Sequence, residues 1–209
     1  MFEISALSYF PKFIEFWLLT MLETESSFML FDCTVLSIFA AILAMDILCY
    51  LYQGRAFITH AVWQELNEAI NHDWQHPFFD SKTTFQAVRQ ALEAGWLRFP
   101  PPDTNPTQKV MELPLTLEYQ KRFSFGRAES MAIALNRKWI FACDDGAAKR
   151  FAKTKGICVT GSVGILVKAT LLKKLSESQA DEIHSRMIDV GYSSPLPYFK
   201  GISSHLCSS

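Results

Sequence analysis

The chain is poor in the residues that mark several common functional classes. It has five cysteines, Cys33, Cys49, Cys143, Cys158 and Cys207, and no two of them stand at CxxC spacing. An odd number cannot all pair, so neither a disulfide framework nor a zinc ligand set is expected, and reduced thiols in a cytoplasmic protein are the simple reading. The five histidines, His60, His72, His76, His184 and His205, fall in no recognisable motif and have no nucleophile elbow nearby. A Ser/His/Asp catalytic site is therefore unsupported. The formal net charge is only -1 across 209 residues, which excludes a uniformly basic coat but not a local basic face. Long apolar runs are also missing. The stretch FIEFWLLTML carries Glu15 and follows Lys12, and it lacks the basic start and small-residue cleavage site of a signal peptide. The run from Cys33 to Met45 is too short to span a bilayer, and extending it to Tyr52 brings in Asp46. No membrane span is expected, and there are no internal repeats or low-complexity tracts.

What is present is a globular composition, 49% hydrophobic and 20% charged, of a length that suits one domain. Strand-like and helix-like segments alternate. SSFMLFD reads as a short buried strand ending at Asp32, followed by one or two apolar helices broken near Asp46. GRAFITH reads as a strand and HAVWQELNEAINH as an amphipathic helix. A helix follows with Ser81 as candidate N-cap and Gly95 as stop, then a strand at WLRFP and a proline-rich loop at PPDTNPTQ. LTLEYQKRFSFGRAESMAIALNRK reads as two helices interrupted at Gly126. WIFACDD is a strand, GAAKRFAKTKG a helix, ICVTGSVGILVKATLL a strand, turn and helix, and ESQADEIHSRMIDVGY a surface helix. Residues 1–27 are expected to form a helical N-terminal extension, 28–199 the α/β domain, and 200–209 a loose tail. Alternation of this kind predicts a mainly parallel sheet in a layered α/β fold.

In such folds ligand sites form at the carboxyl ends of strands. Asp32 and the adjacent pair Asp144 and Asp145 fall at such ends. Glu65 and Glu129 lie near the starts of two helices and are candidates to face the same crevice. Four carboxylates around one pocket would suit Mg²⁺ or Mn²⁺, and two such ions can activate water and stabilise a leaving oxygen. Alone, Asp32 reads more readily as a turn or helix-cap residue and Glu65 and Glu129 also read as first-turn acids favoured by the helix dipole, and one of Asp144 and Asp145 is expected to cap the helix that begins near Gly146. From Gly146 to Ser176 there is no acidic residue, while Lys149, Arg150, Lys153, Lys155, Lys168, Lys173 and Lys174 stand there. That asymmetry fits phosphate contacts, with Arg127, Lys149 and Arg150 the candidates nearest the acids. Trp63 and Phe125 are the aromatics nearest the acids in sequence, although most aromatics here are expected in the core.

Four segments together resemble the PIN-domain family. FDCTVLS is similar to its opening strand and Asp, ITHAVWQEL to its second segment, FGRAESMAIALN to its third, and IFACDDGAAKRFAKTKGICVTGSVGILVKA to a bacterial and archaeal subgroup with an Asp-Asp pair. The resemblance runs from Phe28 to Tyr198. It implies a PIN-like three-layer α/β/α sandwich and a metal-dependent endoribonuclease, often the toxin of a toxin–antitoxin pair. It also implies Mg²⁺ or Mn²⁺ as cofactor, an RNA substrate, a small antitoxin partner and a homodimer. Carried over by position, catalytic roles fall on Asp32, Glu65, Glu129 and Asp145, metal binding on Asp32, Glu129, Asp144 and Asp145, and support of the site on Thr34. The third segment departs from the subgroup's GEAEA-like run, since Arg127 and Met131 stand in that neighbourhood and leave Glu129 as its acid. A catalytically silent PIN-like binding module is therefore the alternative. A haloacid dehalogenase-type phosphatase ranks lower, because Thr34 stands where its nucleophile motif needs a second Asp.

Overall fold

A computed structural model describes residues 27–71, 80–102, 106–196, 198 and 199. The expectations for the N-terminal extension and for the tail after residue 199 lie outside these residues. Strand β1 spans Met29–Phe31 and leads into α1 (Cys33–Ala41) and α2 (Met45–Tyr52). The two helices are separated by a short turn in which Leu43 adopts φ 56°, so the break precedes Asp46. Next come β2 (Ala56–Phe57), α3 (His60–Asn71), α4 (Ser81–Glu93) and β3 (Leu97–Arg98). The chain continues through α5 (Pro106–Tyr119), α6 (Phe125–Arg137), β4 (Ile140–Ala142), α7 (Gly146–Thr154), β5 (Val159–Thr160), α8 (Ser162–Leu171) and α9 (Glu177–Asp189).

Two local expectations are corrected. The N-cap of α4 is Asp80, not Ser81: its carboxylate accepts from the backbone N–H groups of Lys82 and Thr83, which a carboxylate does more strongly than a hydroxyl. The interruption before α6 ends at Ser124, and Gly126 is already helical.

All strand pairs are parallel, in the order β3-β2-β1-β4-β5. Strand residues alternate between the two faces with period two, as the pleat requires. Met29, Phe31, Ala56, Ile58, Ile140 and Ala142 join the core built with α1, α2, α4, α8 and α9. Leu30, Phe57, Phe141 and Cys143 join the opposite core, built with α5, α6 and α7. The architecture is thus a three-layer α/β/α sandwich. A parallel sheet covered on both faces explains why MLF and IFA are buried at every position. Among the described residues the sheet begins at its middle with β1, grows outward through β2 and β3, then crosses back to place β4 on the other side of β1. That reversal opens a crevice above the carboxyl ends of β1 and β4. Among the described residues, no helix is long and apolar enough to cross a membrane.

Candidate functional site

The ladder does not stop at Phe31: the Asp32 N–H donates to the Ala142 carbonyl at 2.8 Å, which fixes where the Asp32 side chain leaves the sheet. That side chain is fully buried beneath the crevice. A lone buried carboxylate would be costly, so its partners matter. Its Oδ2 accepts from Thr34 Oγ1 at 2.9 Å, from Cys143 Sγ at 3.3 Å, and from Arg127 Nε and Nη2 at 3.2 and 3.1 Å. Arg127 Nη1 reaches Asp145 Oδ2 at 3.3 Å, so one guanidinium joins acids from two strand ends. Burial works against the charge of Arg127, but the Asp32 charge, the neighbouring Cys143 and Cys33 and the hydrogen bonding to Asp32 together outweigh it and hold the guanidinium above its ordinary pKa. Burial, reinforced by the Asp32 charge, pushes the thiols of Cys33 and Cys143 well up, so both are neutral.

The paired aspartates diverge. Asp145 is the N-cap of α7, where its Oδ1 accepts from Ala148 N at 2.7 Å. Asp144 turns the other way and serves the start of α8. It accepts from the backbone N–H of Ser162 at 2.9 Å, from the Ser162 hydroxyl, and from Tyr192 Oη at 3.2 Å, with Lys149 Nζ at 3.6 Å. The two carboxylates tolerate adjacency because each faces its own helix N-terminus and a different cation, Lys149 for Asp144 and, shared with Asp32, Arg127 for Asp145. Burial and the Asp144 charge raise the Tyr192 phenol far above its ordinary value, keeping it a donor. Thr34 links this pair to Asp32, donating to Asp32 and accepting from Asp144 N at 3.0 Å.

Glu65 and Glu129 are taken up by backbone groups, although Glu65 stays near enough to Asp32 and Arg127 for their charges to act on it. Both stand past the first turn of their helices. Glu65 of α3 accepts from Gly126 N at 2.7 Å and from Ser124 Oγ at 3.3 Å, at the start of α6. Glu129 of α6 accepts from Ala61 N at 3.3 Å, at the start of α3. Each helix thus supplies the acid that neutralises the positive end of the other. Burial raises the pKa of Glu65, against the lowering effect of these hydrogen bonds. Gly126 is required by this arrangement, since a Cβ there would come within 2.9 Å of Glu65 Cδ and of Val62 Cγ2. Gly126→Ala is expected to destabilise the fold by about 1–3 kcal/mol through overpacking, read as a lower urea midpoint at unchanged slope.

Of the candidate phosphate contacts, Arg127 is turned inward with its side chain 16% exposed, and Lys149 is half-buried beside Asp144. Arg150 is exposed and folds back over the head of α7, its Nη1 3.3 Å from where a Cβ on Gly146 would stand. One further feature lies on the same sheet edge. His60, exposed at the start of α3, stacks on Phe99 just beyond β3, with ring centroids 4.0 Å apart and planes 13° from parallel. Trp63 instead stacks on Phe85 of α4, a packing contact between helices. Sequence reasoning missed His60, Phe99, Ser162 and Tyr192. A partner 48 residues away, as Tyr192 is from Asp144, leaves no local pattern to find.

The four segments, their order and this edge geometry agree with a match to the PIN-domain family model over residues 28–200. The chain belongs to the PIN-domain family. Searches of curated proteins and of solved structures gave no significant match. The PIN domain is a nuclease-type fold, and its members typically use divalent metals. In this PIN domain the arrangement of side chains does not fit such an ion. Among the described residues, no group of three or more His, Cys, Asp or Glu side chains is placed to hold one. Asp32 meets a guanidinium, a hydroxyl and a neutral thiol where metal ligands were expected, while Glu65 and Glu129 are committed to helix N-termini.

Proposed function

We propose that this PIN domain binds single-stranded RNA along the carboxyl edge of its sheet, without relying on a divalent ion. The observation that carries the reading is the charge balance there. Asp32 and Asp145 share Arg127, and Asp144 faces Lys149, so each of these three buried or half-buried acids has a cationic partner, and the exposed Arg150 beside them brings the cations to three against three acids. Such an edge does not repel a phosphodiester, as bare carboxylates would. The His60–Phe99 stack, two strands along the same edge, offers a flat ring on which a base can stack.

The test is fluorescence anisotropy of a labelled mixed-sequence single-stranded RNA, with EDTA or Mn²⁺ present and single-stranded DNA as competitor. Binding in EDTA that weakens with salt is expected. His60→Ala should weaken it by about tenfold, the scale of one lost base stack. Absence of binding at low salt sinks the reading.

A second reading is the metal-dependent endoribonuclease, using Mg²⁺ or Mn²⁺, with Asp32, Glu65, Glu129 and Asp145 as catalytic acids and Asp144 as a further metal ligand. A toxin role, a small antitoxin and a homodimer go with it. It is favoured by the convergence of Asp32, Thr34, Asp144 and Asp145 at one switch point. Cleavage that needs Mn²⁺ and disappears in Asp32→Asn would replace the first reading with this one.

A further inference from the structure

We propose that Arg127 is the resident cation of this PIN domain: its guanidinium takes the place of a divalent ion between Asp32 and Asp145, and the wild-type crevice holds no Mg²⁺ or Mn²⁺. The inference rests on family membership and the geometry of the crevice, and stands whether or not RNA is the ligand.

Three observations carry it. First, one oxygen of Asp32 is saturated, while Oδ1 faces the Cys33 thiol at 3.7 Å. Asp32 Oδ2 takes four donors, two from Arg127, one from Thr34 and one from Cys143. A metal bound to that oxygen would have to displace them. Second, the charges conflict. Mg²⁺ sits about 2.1 Å from its oxygen ligands. With Nη2 at 3.1 Å from the same atom, the ion would lie within about 5 Å of the guanidinium. Third, Arg127 has little freedom to leave. Its side chain is 16% exposed, and its three nitrogens bond to carboxylates that project from different strand ends. Its root is held by the neighbouring Gly126 N–H, which donates to Glu65 at 2.7 Å. A fork of this kind satisfies two carboxylates at once, as a point charge such as lysine does not.

The thiols agree with this assignment. Cys33 and Cys143 approach Asp32 at 3.7 and 3.3 Å, and hard, oxygen-seeking ions do not favour sulfur ligands there. A domain built around Arg127 keeps the acids of the crevice for folding and for holding that cation. It has no route to activate water through a divalent ion at this place.

The experiment uses Mn²⁺ alone, without RNA, so its failure is distinct from failure of the RNA reading. Binding is followed by loss of the free-Mn²⁺ electron paramagnetic resonance signal and by Tm against Mn²⁺ concentration. Wild type and Asp32→Asn should behave alike, with no shift in either. Arg127→Glu removes the cation and adds an acid at the same root. It should take up Mn²⁺ and gain Tm with each increment, and Asp32→Asn in that background should abolish both. Should Arg127→Glu fold only with Mn²⁺ present, that also supports the assignment. Arg127→Gln, which removes charge without adding repulsion, is the second variant and should bind Mn²⁺ more weakly than Arg127→Glu. The proposal is overturned if wild type binds Mn²⁺ in a way that Asp32→Asn removes. It is equally overturned if both folded Arg127 variants ignore the ion.

Discussion

Asp32→Ala is expected to cost about 3–5 kcal/mol of folding stability, the scale for breaking a buried ion pair by removing one partner. The carboxylate is fully buried, and the guanidinium it leaves behind is 16% exposed. Arg127 then keeps only the longer bond to Asp145 at 3.3 Å, and the Thr34 hydroxyl loses the acceptor it holds at 2.9 Å. Against a typical domain stability of about 5–15 kcal/mol, that is a large share. The informative partner is the double variant Asp32→Ala/Arg127→Met, in which neither charge remains. It should recover much of the loss, because a buried pair replaced by apolar groups is often close to neutral. Urea unfolding of wild type, the two single variants and the double variant measures the coupling directly. A double variant as unstable as the sum of the singles would show that the two side chains are not energetically paired.

The second large effect is expected at Asp144. Asp144→Ala removes an acceptor used by Ser162 N at 2.9 Å, by the Ser162 hydroxyl and by Tyr192 Oη at 3.2 Å, and leaves Lys149 without its anion. About 2–4 kcal/mol is expected, since several desolvated donors are stranded together. Asp145→Ala should cost about 1–2 kcal/mol, a lost N-cap together with a partly exposed ion pair to Arg127. The difference in burial points the same way, with the Asp144 side chain 8% exposed and that of Asp145 35% exposed. Tyr192→Phe should lose about 1 kcal/mol, one net hydrogen bond. Thermal or urea unfolding of the three variants ranks them. Equal losses at Asp144 and Asp145 would mean that the link to α8 and Tyr192 contributes little.

The sequence alone determined the alternation of strands and helices, the parallel sheet and the placement of Asp32, Asp144 and Asp145 at strand ends. These follow from short-range physics: apolar runs of strand length, glycine and capping residues at helix ends, and periodicities of two and 3.6 residues. It also exposed the departure at Arg127, a base standing where the similar PIN subgroup often carries further acids. What Arg127 does there was decided only by tertiary structure. Whether a guanidinium points to solvent or bridges Asp32 and Asp145 depends on how α6 is held against α3, not on its neighbours in the chain. The same holds for Glu65 and Glu129. Their types and positions suit a metal pocket and a helix N-terminus equally well. Only the approach of the starts of α3 and α6 assigns each glutamate to the other helix. Carboxylates have one chemistry with several partners, and the partner is chosen by contacts formed across dozens of residues when the layers pack.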